Sequence, residues 1–283
     1  MIQFGMRAHD AYRPAPMAEA LDAMRDQGLE HLQLAFEKSF SDYDFTTGHY
    51  SAGFAHKIGR ELTRRDLHVA VLGCYINPVN PDPAARAGEV ARFVERLRYA
   101  KHCSADMVGT ETGRYSPDMA VTDATRSAEC YSTLLDSFST IVDAAERLGV
   151  TVGVEGVFDH TLRSPEMMDR FLKDIASPAV EVILDAANLV APWAAAPEEQ
   201  NAVIQKAFDL YGDRISVLHL KDCVFDSNGV QKCVRPGTGL VYYDALMRNV
   251  KAAKPEIIGL LEESDPAHFA QDKAFFAAQW EKA

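Results

Sequence analysis

Short apolar runs alternate with longer amphipathic ones from one end of this 283-residue chain to the other, and no other property of the sequence constrains its fold so tightly. A run of four to eight apolar residues bounded by turn formers reads as a strand buried on both faces, and such strands joined by helical segments imply parallel pairing through crossover connections. Eight runs qualify: IQFGM at 2–6, HLQLAF at 31–36, HVAVLGCY at 68–75, DMVGTE at 106–111, VTVGVEG at 150–156, VEVILDA at 180–186, ISVLHL at 215–220 and IIGLLEE at 257–263. Between them the apolar positions recur at helical spacing. Val90, Phe93, Val94, Leu97 and Ala100 make one stripe, and Leu134, Phe138, Ile141, Val142, Ala145 and Leu148 make another. Ser164-Pro165-Glu166 and Asp265-Pro266 offer an N-cap followed by proline at the first helical position, and Gly149 offers a stop. Eight βα units in about 250 residues are what a (β/α)₈ barrel requires. An open doubly wound sheet would place a glycine-rich turn after its first strand, where this chain has RAHDAYRPAP. The expected class is α/β, a single (β/α)₈ TIM barrel over residues 1–283, since no linker, low-complexity tract or shift in composition divides the chain.

Charge and cysteine usage narrow the partners. Lysine plus arginine number 29 against 41 aspartate plus glutamate, and the net charge of −12 repels phosphate backbones and anionic membrane surfaces. Neither nucleic acid nor membrane is an expected partner. Cys74, Cys103, Cys130, Cys223 and Cys233 include no CxxC pair, so neither a disulfide framework nor a thiolate zinc site is expected. The N-terminal MIQFGMRAHD lacks the pattern of a signal peptide, and no apolar run approaches ~18 residues. A cytoplasmic protein is the expectation, with a homo-oligomer as the default assembly.

Chemistry in such a barrel collects where the strands end at their C-terminal side, so the polar residue that closes each strand matters. The fifth run closes with Glu155, the sixth with Asp185, the seventh with His219 and the eighth with Glu262, beside which Glu263 is an equal candidate. Successive members lie about one βα unit apart and are expected to converge on one rim. A single strand-end acid is more often a cap or a salt-bridge partner, and a lone His219 would read as a satisfied core histidine. Four in register argue otherwise, because buried carboxylates cost several kcal/mol unless a cation or hydrogen bonds offset them. Three oxygen donors and one imidazole suit a fairly hard divalent ion, Mn²⁺ first, with Mg²⁺, Co²⁺ and Zn²⁺ open.

The loops LGCYINPVNPD and VGTETG, after the third and fourth runs, are polar and rich in turn formers, and rim loops of that kind gather substrate contacts. Asn77 and Glu111 are the candidates there, and His9 after the first run is a third; Glu111 reads equally as a partner of Arg114. Lys221 would either place positive charge near a developing oxyanion or pair with Asp222. RPGTG at 235–239 lacks the lysine and hydroxyl of a phosphate loop and reads as a tight turn before a helix.

With VGVEGV around Glu155, VILDAANL around Asp185, SVLHLKD around His219, RPGTGLVYYDAL and IIGLLEES, the chain resembles the xylose isomerase-like TIM-barrel superfamily, whose members include sugar and sugar-phosphate isomerases and epimerases, endonuclease IV and inosose dehydratase. The resemblance implies one divalent ion held by Glu155, Asp185, His219 and Glu262. It implies that Glu155 and Glu262 flank a substrate carbon and transfer a proton next to a carbonyl through a metal-stabilised enediolate. It also implies substrate contacts from Arg235 and His160. The chain departs from the epimerase pattern at Asn188, where those enzymes commonly carry a histidine; asparagine can bind a substrate hydroxyl but cannot carry a proton. It departs again at Gln33, where an acid is common. An inosose dehydratase-like lyase and a non-catalytic carbohydrate-binding barrel remain alternatives, while an endonuclease IV-like role lacks the basic footprint that DNA requires.

Overall fold

The apolar runs become strands, and their order along the chain becomes their order around a barrel. In this computed structural model, which describes residues 1–191, 193 and 196–283, the strands are β1 (Ile2–Arg7), β2 (His31–Leu34), β3 (His68–Gly73), β4 (Met107–Glu111), β5 (Thr151–Glu155), β6 (Val180–Asp185), β7 (Ile215–Leu220), β8 (Asp222–Phe225), β9 (Gln231–Val234) and β10 (Ile257–Leu261). Among the described residues, all but β8 and β9 close into one parallel barrel in the order β1-β10-β7-β6-β5-β4-β3-β2. The molecule is a (β/α)₈ TIM barrel. The register sets Glu111 beside Glu155 across β4 and β5, and Asp185 beside His219 across β6 and β7.

Two apolar layers hold this arrangement. Ala70, Val71, Met107, Ile183, Val217 and Leu260 fill the barrel interior, and a larger layer packs the outward faces against the helices. Glycines at two strand positions make room for this filling. A Cβ on Gly109 would stand 2.6 Å from Val71 Cγ1, and one on Gly153 would stand 2.5 Å from Met107 Sδ, each also 2.9 Å from Ile183 Cδ1. The polar residues at the strand ends therefore rest on a packed floor.

The helices follow their sequence signals. Pro83–Cys103 buries Val90, Phe93, Leu97 and Ala100, and its N-cap Asp82 accepts a hydrogen bond from the Ala84 amide at 2.8 Å. Ala128–Leu148 stops at Gly149, whose φ of +66° is the left-handed conformation that favours glycine. Ser164 caps Pro165–Ile175, whereas Asp265-Pro266 opens a short 3₁₀ turn before the helix Phe269–Lys282. No helix among the described residues is long and apolar enough to cross a membrane.

Three strands end two residues earlier than their apolar runs. β2 stops at Leu34 because Phe36 begins a one-turn helix and stacks on Phe45 with ring centroids 5.1 Å apart. β3 stops at Gly73 and β10 at Leu261. The hairpin of β8 and β9 was not expected. Its signal was present in Asn228-Gly229, the dipeptide most typical of tight hairpins. Asp226 stabilises the turn by accepting the Asn228 and Val230 amides at 2.8 and 3.1 Å.

Candidate metal centre at the barrel mouth

Glu155 and Asp185 are the last residues of β5 and β6, His219 is the penultimate residue of β7, and Glu262 directly follows β10. All four are buried. Ligand atoms of Glu155, Asp185 and His219 all lie within 4.8 Å of one another. His219 Nδ1 is 3.1 Å from Glu155 Oε2 and 3.5 Å from Glu262 Oε1, so Glu262 meets the group through the imidazole. Backbone geometry separates Glu262 from its neighbour. The Glu262 amide continues the ladder by donating to Leu220 O at 3.2 Å, while Glu263 adopts φ +52° and swings outward. There its carboxylate accepts from Arg7 at 2.5 Å and its amide donates to Asp10 at 2.8 Å.

Burying three carboxylates together demands positive charge. Lys221 Nζ supplies some of it, 2.8 Å from Asp185 Oδ2 and 3.1 Å from Glu262 Oε2, and Arg7 Nη1 lies 4.0 Å from Glu262. Burial opposes a proton on His219, yet the Glu262 and Glu155 charges outweigh it and raise the imidazole to about 9. Burial also raises Asp185, to about 6, against the pull of Lys221. Glu155 stays below the ordinary carboxylate range because His219 overcomes its burial, and Glu262 lies further below it under His219, Lys221 and Arg7.

The donor set fits a divalent ion. Both ring nitrogens of His219, and Asp185 Oδ2, make no aligned hydrogen bond among the described residues. Lys221 is close to that oxygen by distance, but the angle is not that of a hydrogen bond. Buried polar atoms without partners are uncommon, and here they share one focus. Carboxylate oxygens with one imidazole suit Mn²⁺, Mg²⁺, Co²⁺ or Zn²⁺.

The surroundings orient Glu155. Asp185 Oδ1 accepts the Asn188 amide at 3.1 Å, which curls DAAN into one helical turn and aims the Asn188 side chain inward. Its Nδ2 donates to Glu155 Oε1 at 2.6 Å. On the other oxygen, the Tyr75 hydroxyl donates at 3.4 Å and is itself the acceptor for Gln33 Nε2 at 2.9 Å. Asn188 thus contacts a carboxylate in this structure. Tyr75 and Arg7 were missed in the sequence, although each stands where an apolar run meets its rim loop.

Of the remaining candidates, some face this centre and others do not. Burial and the adjacent Glu155 push Glu111 up to about 8. It does not pair with Arg114, whose guanidinium is held by Asp159 at 2.7 Å; its neighbour is His160 Nδ1 at 3.7 Å. Burial and Arg114 lower buried His160 to about 4. His9 is likewise lowered to about 4, by burial and Arg7. Asn77 instead braces the loop after β4, donating to Arg114 O and Ser116 O at 3.0 Å each. Arg235 is engaged by Asp272 at 3.1 Å and by Gln271 on the last helix, and is not brought to the cluster. Lys221 does not pair with Asp222, because that carboxylate accepts the amides of Cys223, Gly237, Gly239 and Val241 at 2.8 to 3.0 Å and so anchors the RPGTG turn.

A family model described as xylose isomerase-like TIM barrel matches residues 21–279. No curated protein matches the sequence. Among solved structures, the chain is similar to an IOLI protein with a bound zinc atom, at 14% identity over 99% of each chain and a TM-score of 0.75. It is similar to the 3-keto-D-glucoside 4-epimerase YcjR from E. coli, at 13% identity over 98% of this chain and 100% of the other, with a TM-score of 0.72. It is also similar to AsbF from Bacillus anthracis, described as a probable 3-DHS dehydratase, at 13% identity over 98% and 99%, with a TM-score of 0.70. At these identities the likeness establishes a shared fold.

Proposed function

The chain belongs to the xylose isomerase-like TIM-barrel family, and from that premise we propose that it is a divalent-metal-dependent isomerase or epimerase acting on a small sugar, polyol or sugar derivative. One observation carries the reading: Glu155, Asp185 and His219 meet within 4.8 Å at the catalytic rim, with the imidazole nitrogens lacking aligned partners. Glu155, Asp185, His219 and Glu262 would hold the ion, Mn²⁺ foremost. When bound, such an ion supplies Lewis-acid stabilisation of the negative charge that appears as a proton leaves a carbon next to a carbonyl.

The chain's own groups divide the remaining work. Glu155 and Glu262 are held below the ordinary carboxylate range and both face His219 Nδ1, so each can accept a proton. Glu111, whose carboxyl burial and Glu155 push up to about 8, can donate one. The Lys221 ammonium adds positive charge to the same focus. The test is to incubate Mn²⁺-loaded protein with ketoses, polyol ketones and sugar acids in D₂O and follow the substrate by NMR and mass. Solvent deuterium at one carbon, with product otherwise equal in mass to substrate, supports the proposal. A product lighter by one water transfers the reading to a lyase, and tight metal binding without exchange in any substrate transfers it to a non-catalytic binder.

A further inference from the structure

The hairpin of β8 and β9 sets two cysteines face to face. Cys223 and Cys233 stand directly opposite each other in its antiparallel register. Opposed residues in such a ladder alternate between pairs that exchange backbone hydrogen bonds and pairs that do not. Next to the turn the Asp226 amide donates to Val230 O at 3.0 Å, so the alternation leaves Phe225–Gln231 and Cys223–Cys233 without mutual backbone bonds. The backbone of Cys223 agrees: its amide donates to Asp222 Oδ1 and its carbonyl accepts from Leu240, both at 2.8 Å. In a pair of that kind the side chains share one face and the Cα atoms stand about 4.5 Å apart, within the span of about 4.4–6.8 Å that a disulfide bridges.

The surroundings separate this pair from the other cysteines. Cys74, Cys103 and Cys130 are buried, and the last two lie against Ala55 O at 3.4 Å and Thr161 Oγ1 at 3.3 Å. Cys233 is exposed, and the charges of Lys221, Glu263, Asp185 and Glu262 all act on its thiol, which places it at the barrel mouth. Cys223 is buried, with Gln231 Nε2 reaching its Sγ at 3.4 Å and Ala187 O at 2.7 Å. We propose that Cys223 and Cys233 are a redox modification site, a dithiol that a low-molecular-weight disulfide converts reversibly to a cross-strand bond.

The Cys233 thiolate attacks one sulfur of the oxidant RSSR and expels RS⁻; Cys223, as thiolate, then attacks Cys233 Sγ in the mixed disulfide and expels the second RS⁻. Both protein protons end on the two RSH released, and the two electrons the protein loses reduce the oxidant. Burial raises both thiols, Cys223 to about 12, so Cys233 opens the exchange and the rate is expected to rise with pH. The bond ties β9 to β8 just after Lys221, whose ammonium lies 2.8 Å from Asp185, so oxidation acts on the mouth without consuming a ligand of the proposed centre. The site does not depend on the proposed reaction.

The test treats the full-length wild type, Cys233→Ser and Cys223→Ala with excess oxidised glutathione at pH 8, blocks remaining thiols with N-ethylmaleimide, and reads intact mass and a non-reducing peptide map. The wild type is expected to lose two hydrogens, to yield a peptide linking Cys223 to Cys233, and to recover both thiols with dithiothreitol. Cys223→Ala is expected to stop at a glutathione adduct on Cys233, and Cys233→Ser to leave Cys223 unmodified. Should Cys223→Ala not fold, the wild type and Cys233→Ser decide between them. A wild type that keeps both thiols free, holds a lasting glutathione adduct on Cys233, or joins Cys233 to another cysteine overturns the proposal.

Discussion

The two halves of the barrel present different chemistry at the same rim. The ends of β5, β6, β7 and β10 contribute Glu155, Asp185, His219 and Glu262, which gather in one cluster around the His219 imidazole. Strands β1 to β4 and their loops contribute Arg7, Gln33, Tyr75 and Glu111, which touch that group only at its edges. The later half assembles the charge together with its shortest supports, Asn188 on Glu155 and Lys221 on Asp185 and Glu262. The earlier half adds contacts around it: Tyr75 bonds one Glu155 oxygen, Arg7 lies beside Glu262, and Glu111, pushed up to about 8 by burial and Glu155, stands next to Glu155. Carboxylates packed this closely keep one geometry only if their lone pairs are assigned to particular donors.

Substitutions in the two halves should therefore separate. The largest effect is expected from Asp185→Ala or His219→Ala, with Mn²⁺ affinity falling at least ~10²-fold, more than outer-contact losses commonly cost, and activity following. Retained affinity in a titration followed by electron paramagnetic resonance would remove the centre from the later half.

Acidity should act on the same group. In the metal-free state His219 carries its proton below about 9 and Asp185 below about 6, and an incoming ion must displace those protons. Affinity is expected to fall as pH drops, by about tenfold per unit for each proton displaced, first through the imidazole range and more steeply below 6. A flat profile between pH 6 and 9 would show that His219 is not a ligand.

Removing a supporting contact should cost less. Asn188→Ala strips the 2.6 Å donor from Glu155 and is expected to lower activity ~10- to 100-fold with metal still bound. Tyr75→Phe removes a longer bond of 3.4 Å and should cost under ~10-fold. If the order is reversed, the earlier half contributes more to orienting Glu155 than the hydrogen-bond lengths imply.

The smallest effect is expected at the opposite end of the barrel, where His68 opens β3 and bonds Asp106 at 2.9 Å. Asp106 raises the His68 pKa against burial, so the pair's contribution is complete below the unfolded value of about 6.5 and is lost as pH rises through the higher folded value. Asp106→Asn should cost under ~1 kcal/mol in thermal melts and leave metal binding unchanged. A change in metal affinity there would break the division between rim and floor.

Much of this was legible in the chain and some was not. The eight strands were readable because burial on both faces writes an uninterrupted apolar run, and Glu155, Asp185 and His219 were readable because a polar residue ends such a run abruptly. The hairpin of β8 and β9 was legible in Asn228-Gly229 but lay behind the reading of one strand ending at Leu220. Lys221 and Asp222 are adjacent and opposite in charge, which invites pairing. What separates them is the set of amides at Gly237, Gly239 and Val241 that returns to Asp222 from a later turn. Arg235 looked like a substrate contact beside that turn, and the last helix engages it through Asp272.

By itself the amino-acid order determined the elements, their parallel sense and which polar groups stand at strand ends, because these depend on local periodicity and on spacing of about one βα unit. Only the tertiary structure decided which lone pair meets which donor: Asn188 on Glu155, Lys221 between Asp185 and Glu262, Glu263 turned away to Arg7. Those choices join residues from separate strands and loops. They follow from register, burial and the summed field of charges far apart in the chain, none of which any single segment encodes.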